Sequence, residues 1–200
     1  MKATDLLSKQ HRNVEAIFKK LEAGKADPAP LLEALSNALA AHMAIEQEIF
    51  YPEVKAVDED LILEAFEEHS LAELGLKRLL ATSPEDPSFQ ARVVACKELI
   101  EHHVEEEEEE LFPKVEKAID AVRLEAMGKA MKARFEAVEA AGFEAAVPKG
   151  FGKTSADVAK SSAKTPQAPK SASSKSKSST SSSNGKSAKS ERGARRATAP

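Results

Sequence analysis

Tryptophan is absent from these 200 residues, and cysteine and tyrosine occur once each. A lone Cys96 excludes an intramolecular disulfide and fits a reducing compartment. It falls on the apolar face of its helix and reads as a core residue, not a reactive thiol. With so few aromatic residues, the core has to be built mainly from Leu, Ile, Val, Ala and Phe. No apolar run approaches the roughly twenty residues that span a bilayer. The N-terminal MKATDLLSKQHRNV lacks the apolar centre of a secretory signal, so a cytoplasmic location and no membrane partner are expected. No stretch shows strand alternation or hairpin-turn chemistry, which leaves an all-α reading.

The near-neutral total charge of −4 conceals two unlike parts. Residues 1–147 carry 17 Lys and Arg against 31 Asp and Glu, and residues 148–200 carry 12 against 2. The first part is long enough for one domain with a single core. The second is dominated by Ser, Lys, Ala, Thr, Pro and Gly, with Phe151 and Val158 nearly its only large apolar residues. Such a segment buries too little surface to offset its conformational entropy, so a disordered basic tail is expected over 148–200.

Within the acidic part, helical periodicity and breakers mark four main helices. Thr4 or Asp5 can cap the first, which runs to about Ala23 with Leu7, Val14, Ile17, Phe18 and Leu21 on one side. The second starts near Pro30 and runs to Phe50, where Pro52 should kink or end it by removing a backbone donor. Asp58 or Asp60 opens the third, and the Pro-containing stretch 83–87 closes it. The fourth runs from about Pro87 to a kink at Pro113. Residues 119–141 form a further amphipathic segment, with Val122, Met127, Met131, Phe135 and Val138 available for packing. Short connections make consecutive helices antiparallel, so the expected architecture is an up-down-up-down four-helix bundle with an additional C-terminal helix.

Every one of the five histidines is followed four residues later by glutamate: His11 by Glu15, His42 by Glu46, His69 by Glu73, His102 by Glu106 and His103 by Glu107. Positions i and i+4 share a helix face, so each pair can aim an imidazole and a carboxylate at one point. The acidic run 105–110 makes the last two pairs nearly automatic. An internal repeat carries more weight. A shift of 61 residues superimposes Leu39, His42, Glu46, Phe50, Pro52 and Val54 on Ile100, His103, Glu107, Leu111, Pro113 and Val115. A shift of 58 superimposes His11, Glu15, Phe18 and Leu21 on His69, Glu73, Leu76 and Leu79. The repeat selects His103 over His102 as the inward residue and leaves His102 solvated or supporting. Tyr51 and Phe112 occupy equivalent positions and read as packing residues, with a redox role for Tyr51 as a minor alternative.

Burying His and Glu in a bundle without partners is costly, and a metal cluster would satisfy them together. A structural zinc site usually draws on several cysteines. Calcium or magnesium would take oxygen ligands and leave the imidazoles unexplained. Mixed imidazole and carboxylate donors suit iron, manganese or zinc, and carboxylates can bridge two ions, which favours a two-metal site with iron.

The series His11, HMAIEQEIFYP at 42–52, EEHSLAE at 67–73 and HVEEEEEELFP at 103–113 resembles the hemerythrin-like, or HHE cation-binding, family over roughly residues 3–140. The resemblance implies two non-haem iron ions inside a four-helix bundle. Carried over, His11, His42, His69 and His103 look like terminal ligands, and Glu46 and Glu107 like the bridging carboxylates. Glu15 and Glu73, related by the repeat, are further candidates as ligands or as acceptors behind the ligands. The oxygen-carrying branch has a second histidine where this chain has Glu73, and a carboxylate there would favour ferric iron over reversible carriage. The expected role is sensing or scavenging a small oxidant (oxygen, peroxide or nitric oxide) or iron, with peroxide- or oxygen-reactive enzymatic activity an open question. Reversible oxygen binding, or nucleic-acid or other anionic binding through the basic tail, are the alternatives.

Overall fold

The computed structural model describes residues 1–149 and 153–163. Among the described residues nine α-helical segments follow one another: α1 (Ala3–Ala23), α2 (Pro28–Ile45), α3 (Tyr51–Val54), α4 (Glu59–Leu80), α5 (Phe89–Glu106), α6 (Phe112–Ala118), α7 (Ala121–Ala141), α8 (Phe143–Ala146) and α9 (Ser155–Ala163). Single π-helical turns, Glu46–Phe50 and Glu107–Leu111, join α2 to α3 and α5 to α6. No strand occurs among the described residues, and no helix among them is long and apolar enough to cross a membrane.

Short polar side chains start several helices by satisfying free backbone donors. Asp27 accepts from the Ala29 amide at 3.0 Å, Asp58 from Leu61 at 3.2 Å and Asp120 from Arg123 at 3.0 Å. Asp5 accepts from the Lys2 amide at 3.0 Å ahead of α1. Gly24 ends that helix at φ 61°, a left-handed conformation that glycine adopts without steric cost.

The apolar core has two layers. One gathers Leu6 and Leu7 from the start of α1, Ile45 to Val54 from the end of the second helix, Ile62 and Ala65 from the start of α4, and Leu111 to Val115. The other gathers Phe18 and Leu21 from the end of α1, Leu32 and Leu35 from the start of α2, Leu76 and Leu79 from the end of α4, and Phe89 and Val93 from the start of α5. Starts and ends alternate in each layer, which is the up-down-up-down order expected from the sequence. On α1, α2, α4 and α5 the buried histidine falls between the two layers: His11 after Leu7, His42 before Ile45, His69 after Ala65, His103 before Leu111. Two apolar layers thus enclose one polar slice.

Helix α7 lies along α1 and α2 and adds Leu124, Met127 and Met131 to the first layer, while Phe135 packs there partly buried. Val138 is buried as expected, but Val122 is 78 % exposed and takes no part. Gly128 is where the chain start crosses α7, since a Cβ there would lie 2.6 Å from the Met1 carbonyl oxygen.

Composition placed the end of the folded part at residue 147, but α9 is folded onto α4. Thr154 and Asp157 cap its first turn, the Thr154 amide and hydroxyl each donating to Asp157 at 2.8 Å. Ala156 is fully buried, Ser70 and Thr154 hydroxyls meet at 3.0 Å, and Lys160 pairs with Glu67 while lying 5.7 Å from the Phe66 ring centroid. Specific polar docking on α4 replaces the apolar area that composition shows to be missing. The disorder expected farther along the tail, beyond residue 163, lies outside the described residues.

Candidate metal centre

Four helices each contribute one buried imidazole to the polar slice, and the two π turns each contribute one buried carboxylate. The His11 and His42 Nε2 atoms are 3.2 Å apart, and those of His69 and His103 are 3.1 Å apart. Glu46 stands between these pairs, its Oε1 3.2 Å from His42 Nε2 and its Oε2 3.3 Å from His69 Nε2. Glu107 Oε2 lies 3.4 Å from His11 Nε2 and 3.8 Å from His103 Nε2. The donors form two sets, His11, His42, Glu46 and Glu107 on one side and Glu46, His69 and His103 on the other, each within 4.8 Å. The six residues expected from the sequence are therefore brought together.

The outer nitrogen of each ring is also held. His11 Nδ1 and Glu108 are 2.8 Å apart, His103 Nδ1 and Glu68 2.8 Å, and His42 Nδ1 and the Gln10 oxygen 2.9 Å. His69 Nδ1 meets the Gln47 amide at 3.0 Å. An oxygen at Nδ1 requires the proton there, which leaves the Nε2 lone pair pointing inward when the ring is neutral. Three such rings aim lone pairs at carboxylate oxygens and at one another.

Burial, with the neighbouring His11 ring, holds His42 well below the ordinary imidazole range. Burial and the His103 ring do the same to His69. For His103, burial works against protonation but the Glu107 and Glu68 carboxylates outweigh it, and its pKa is raised. Burial first, then Glu107, pushes the Glu46 carboxyl well above the usual carboxylate range. For Glu107 burial is outweighed by His103, His11 and His42, so it stays ionised. Both oxygens of Glu46 and Oε2 of Glu107 are buried without any hydrogen-bond partner. Orphaned acceptors facing lone pairs are unfavourable by themselves and suit a cation.

The spacings fit one. Ligands about 2.1 Å from an ion stand roughly 3.0 Å apart along an octahedral edge and roughly 3.4 Å along a tetrahedral edge. Most of the convergent donor separations fall between 3.1 and 3.4 Å. Metal uptake should release protons, because the Glu46 carboxyl, held well above the usual carboxylate range, can ligate only when ionised. The release is expected to shrink as pH rises through the elevated Glu46 pKa, where the carboxyl is already ionised. Titration with Mn²⁺ in weak buffer with a pH indicator reads it. Equal release from the Glu46→Gln variant would show that the proton comes from elsewhere.

Each π turn begins with its cluster carboxylate and is followed by an aromatic residue and a proline, Tyr51-Pro52 and Phe112-Pro113. The Tyr51 amide reaches back to the Glu46 carbonyl, and the Phe112 amide to that of Glu107. Neither Pro52 nor Pro113 ends its helix, because a widened turn accommodates the missing donor and an α-helical turn follows. In a regular α-helix Tyr51 would point about 180° away from His42, nine residues earlier. The extra residue per turn swings it back into the cluster. Its hydroxyl donates to Glu107 Oε1 at 3.0 Å and lies 3.2 Å from His69 Nε2, so it is more than a packing residue. Phe112 does pack, stacked on the His11 ring with centroids 6.0 Å apart. Burial and the Glu107 carboxylate raise the Tyr51 pKa well above its ordinary value, keeping the phenol protonated. Cys96 is a core residue as expected, burial pushing its thiol up to about 12.

Glu15 and Glu73 do not join the cluster. Glu15 lies at the surface between Arg12 and Lys19, at 3.2 and 2.8 Å. Glu73 is fully buried but turned the other way, pairing with Lys77 at 2.7 Å and accepting from the Ser155 amide and hydroxyl at 2.8 and 2.6 Å. Its role is to dock α9. Glu73→Ala is expected to leave metal content unchanged while proteolysis of the segment 150–163 accelerates. Metal loss as large as that of a Glu46 variant would return Glu73 to the ligand set. His102 is 63 % exposed on the side chain and outside the buried cluster, as the repeat implied.

A cavity of about 20 Å³ adjoins the four histidines, with Leu39, Met43, Ala72 and Val104 among its walls. That is room for one water-sized molecule.

Two sets of imidazole and carboxylate donors, sharing a carboxylate inside an antiparallel helical bundle, define a cation-binding bundle protein. The chain belongs to the hemerythrin HHE cation-binding domain family, whose model matches residues 2–115 and so spans all six cluster residues. It is similar to the crystal structure of a hemerythrin HHE cation-binding domain-containing protein from Mycobacterium kansasii, at 27 % identity and a TM-score of 0.62, covering 70 % of this chain and 89 % of that one. It is also similar to a DNA nickase from Nostoc sp., 28 % identical over 137 residues. That match covers 66 % of this chain but 39 % of the nickase, so the chain spans well under half of that relative's length.

Proposed function

We propose that this chain is a non-haem di-iron protein that senses or scavenges a small oxidant, whether oxygen, peroxide or nitric oxide, or iron itself. The observation that carries the metal reading is the set of three buried carboxylate oxygens with no partner, opposite inward-facing imidazole nitrogens. His11 and His42 would hold one ion with Glu46 and Glu107, and His69 and His103 the other with Glu46. Iron in such a site supplies one-electron chemistry and affinity for small oxygen and nitrogen ligands. Around it, the carboxylates and amides at Nδ1 fix each ring's orientation and tautomer. Tyr51 holds a proton at its hydroxyl beside Glu107. The two apolar layers limit water, and the small cavity favours a diatomic or peroxide-sized ligand over any larger substrate. Metal analysis of the full chain from iron-replete cells should return about two iron ions per chain. A reproducible content near zero, with the bundle intact by circular dichroism, would overturn the reading.

The charge of the tail favours a second reading, in which residues 148–200, with 12 Lys and Arg against 2 Asp and Glu, bind nucleic acid through counterion release. Its lysines and arginines are spread among serines without aromatic interleaving, so such binding would carry little sequence preference. Truncation after Pro166 retains α9 and removes most of the tail. It should abolish salt-dependent DNA binding and leave metal content unchanged. Equal DNA binding by the truncated chain would move that activity to the bundle.

A further inference from the structure

Beside the buried cluster, the structure places a second group of donors at the surface, where α4 meets the end of α5. His102 Nε2 lies 3.5 Å from Glu68 Oε1 and 3.4 Å from Glu106 Oε1, and the three side chains satisfy the same mutual spacing as the buried sets. These separations are long for hydrogen bonds but match the roughly 3.4 Å edge of a tetrahedral ion site. Glu68 is the unusual member. Its Oε1 faces His102, while its Oε2 holds the Nδ1 of His103 at 2.8 Å. One carboxylate therefore belongs to both the surface group and the support of a buried ligand, and the same residue lines the cavity next to the four histidines.

The surroundings favour a cation. The charges of Glu68, Glu64 and Glu110 all bear on the Glu106 carboxyl. Lys114 lies 3.8 Å from Glu110 but is held closer by Asp58, at 2.9 Å. Carboxylates crowded beside an exposed imidazole raise the local concentration of divalent cations.

We propose that His102, Glu106 and Glu68 form a rim site that takes a hydrated divalent metal ion from solution and feeds the buried centre through Glu68. The inference rests on the reading of the buried cluster as a metal centre. The remaining positions on a rim ion would be water, since the site is open on the His102 side. An ion drawing on Glu68 Oε1 weakens the hold of Oε2 on His103 Nδ1. That frees the His103 ring, which walls the cavity, to turn as the ion passes inward.

The test uses the full chain and the variants His102→Ala and Glu109→Ala, both at exposed positions outside the buried cluster. Mn²⁺ is added to metal-loaded protein and free Mn²⁺ is followed by electron paramagnetic resonance. The wild-type chain and Glu109→Ala should bind one further ion, with affinity about tenfold or more above that of His102→Ala. Loading is then measured anaerobically by mixing metal-free protein with Fe²⁺, passing it over a desalting column at set times and assaying retained iron. His102→Ala should load about tenfold more slowly and reach the same final content. Absence of the further ion in the wild type, or identical loading rates in all three proteins, would overturn the feeding role. If the wild-type chain itself retains no iron after desalting, the buried centre fails instead, so the two failures are distinguishable.

Discussion

Glu46→Ala is expected to lower iron content from about two ions per chain to well below one, the largest loss of any single substitution in the protein. Glu46 is the one residue common to both donor sets, and both of its oxygens lack hydrogen-bond partners. Removing it would withdraw a proposed ligand from each ion and the negative charge between them. Glu107→Ala should be less severe, because Glu107 Oε1 is already engaged by Tyr51 and only Oε2 faces the imidazoles. The ion at His11 and His42 should be the first lost in that variant. Glu109→Ala, in the same acidic run but outside both sets, should change little. The metal-free stability of Glu46→Ala separates ligation from folding. A buried carboxylate without partners costs free energy, so its removal should leave the melting temperature of the metal-free bundle equal or higher. Equal iron loss from all three variants would show that general acidity, and not a built site, retains the metal.

The candidate metal site was legible in the sequence to the extent that it follows α-helical periodicity. His42 with Glu46 and His103 with Glu107 share faces at i, i+4, and the 61-residue repeat separates His103 from His102. Both readings survive in the fold. What escaped depends on departures from that periodicity or on contacts between helices. Tyr51 reaches the cluster only because a π turn adds a residue between it and His42, and nothing in a regular helical wheel shows that. The aromatic-proline pair after each cluster glutamate was the available signal, since a proline inside a continuing helix demands some local widening. Glu108 holds His11 and Glu68 holds His103 across helix boundaries, so intrahelical spacing cannot identify either. Glu73 shows the converse. Its spacing from His69 is that of a ligand, but α9 supplies two donors on the other side, and those hydrogen bonds decide where the carboxylate turns. Because α9 lies in a segment whose composition reads as tail, its effect on Glu73 was hidden for the same reason that the helix itself was.

The reduced, iron-loaded protein is expected to oxidise once on exposure to air and not to return under vacuum, which is the behaviour of an oxidant-reactive protein and not of an oxygen carrier. The sequence suggested this because Glu73 stands where a carrier has histidine, but Glu73 is occupied with Lys77 and Ser155 and cannot be the cause. The physical basis lies in the cluster. Four imidazoles share the slice with the Glu46 and Glu107 carboxylates, and two of the rings, His11 and His103, are backed at Nδ1 by Glu108 and Glu68. A carboxylate at Nδ1 makes the imidazole a stronger donor, and anionic donors stabilise the higher oxidation state, so the potential of iron held there would fall. The Tyr51 hydroxyl adds a proton within the site, next to Glu107, where reduction of a bound oxidant would consume one. Optical spectra through repeated cycles of air and vacuum, starting from anaerobically reduced protein, decide the matter. Reversible oxygenation over many cycles would restore the carrier reading. Glu73→His should not produce it, since an imidazole at 73 would face Ser155 and Lys77. Glu68→Gln removes a charge behind His103 and is expected to slow oxidation while iron content stays near two, an effect that a ligand role for Glu73 would not explain.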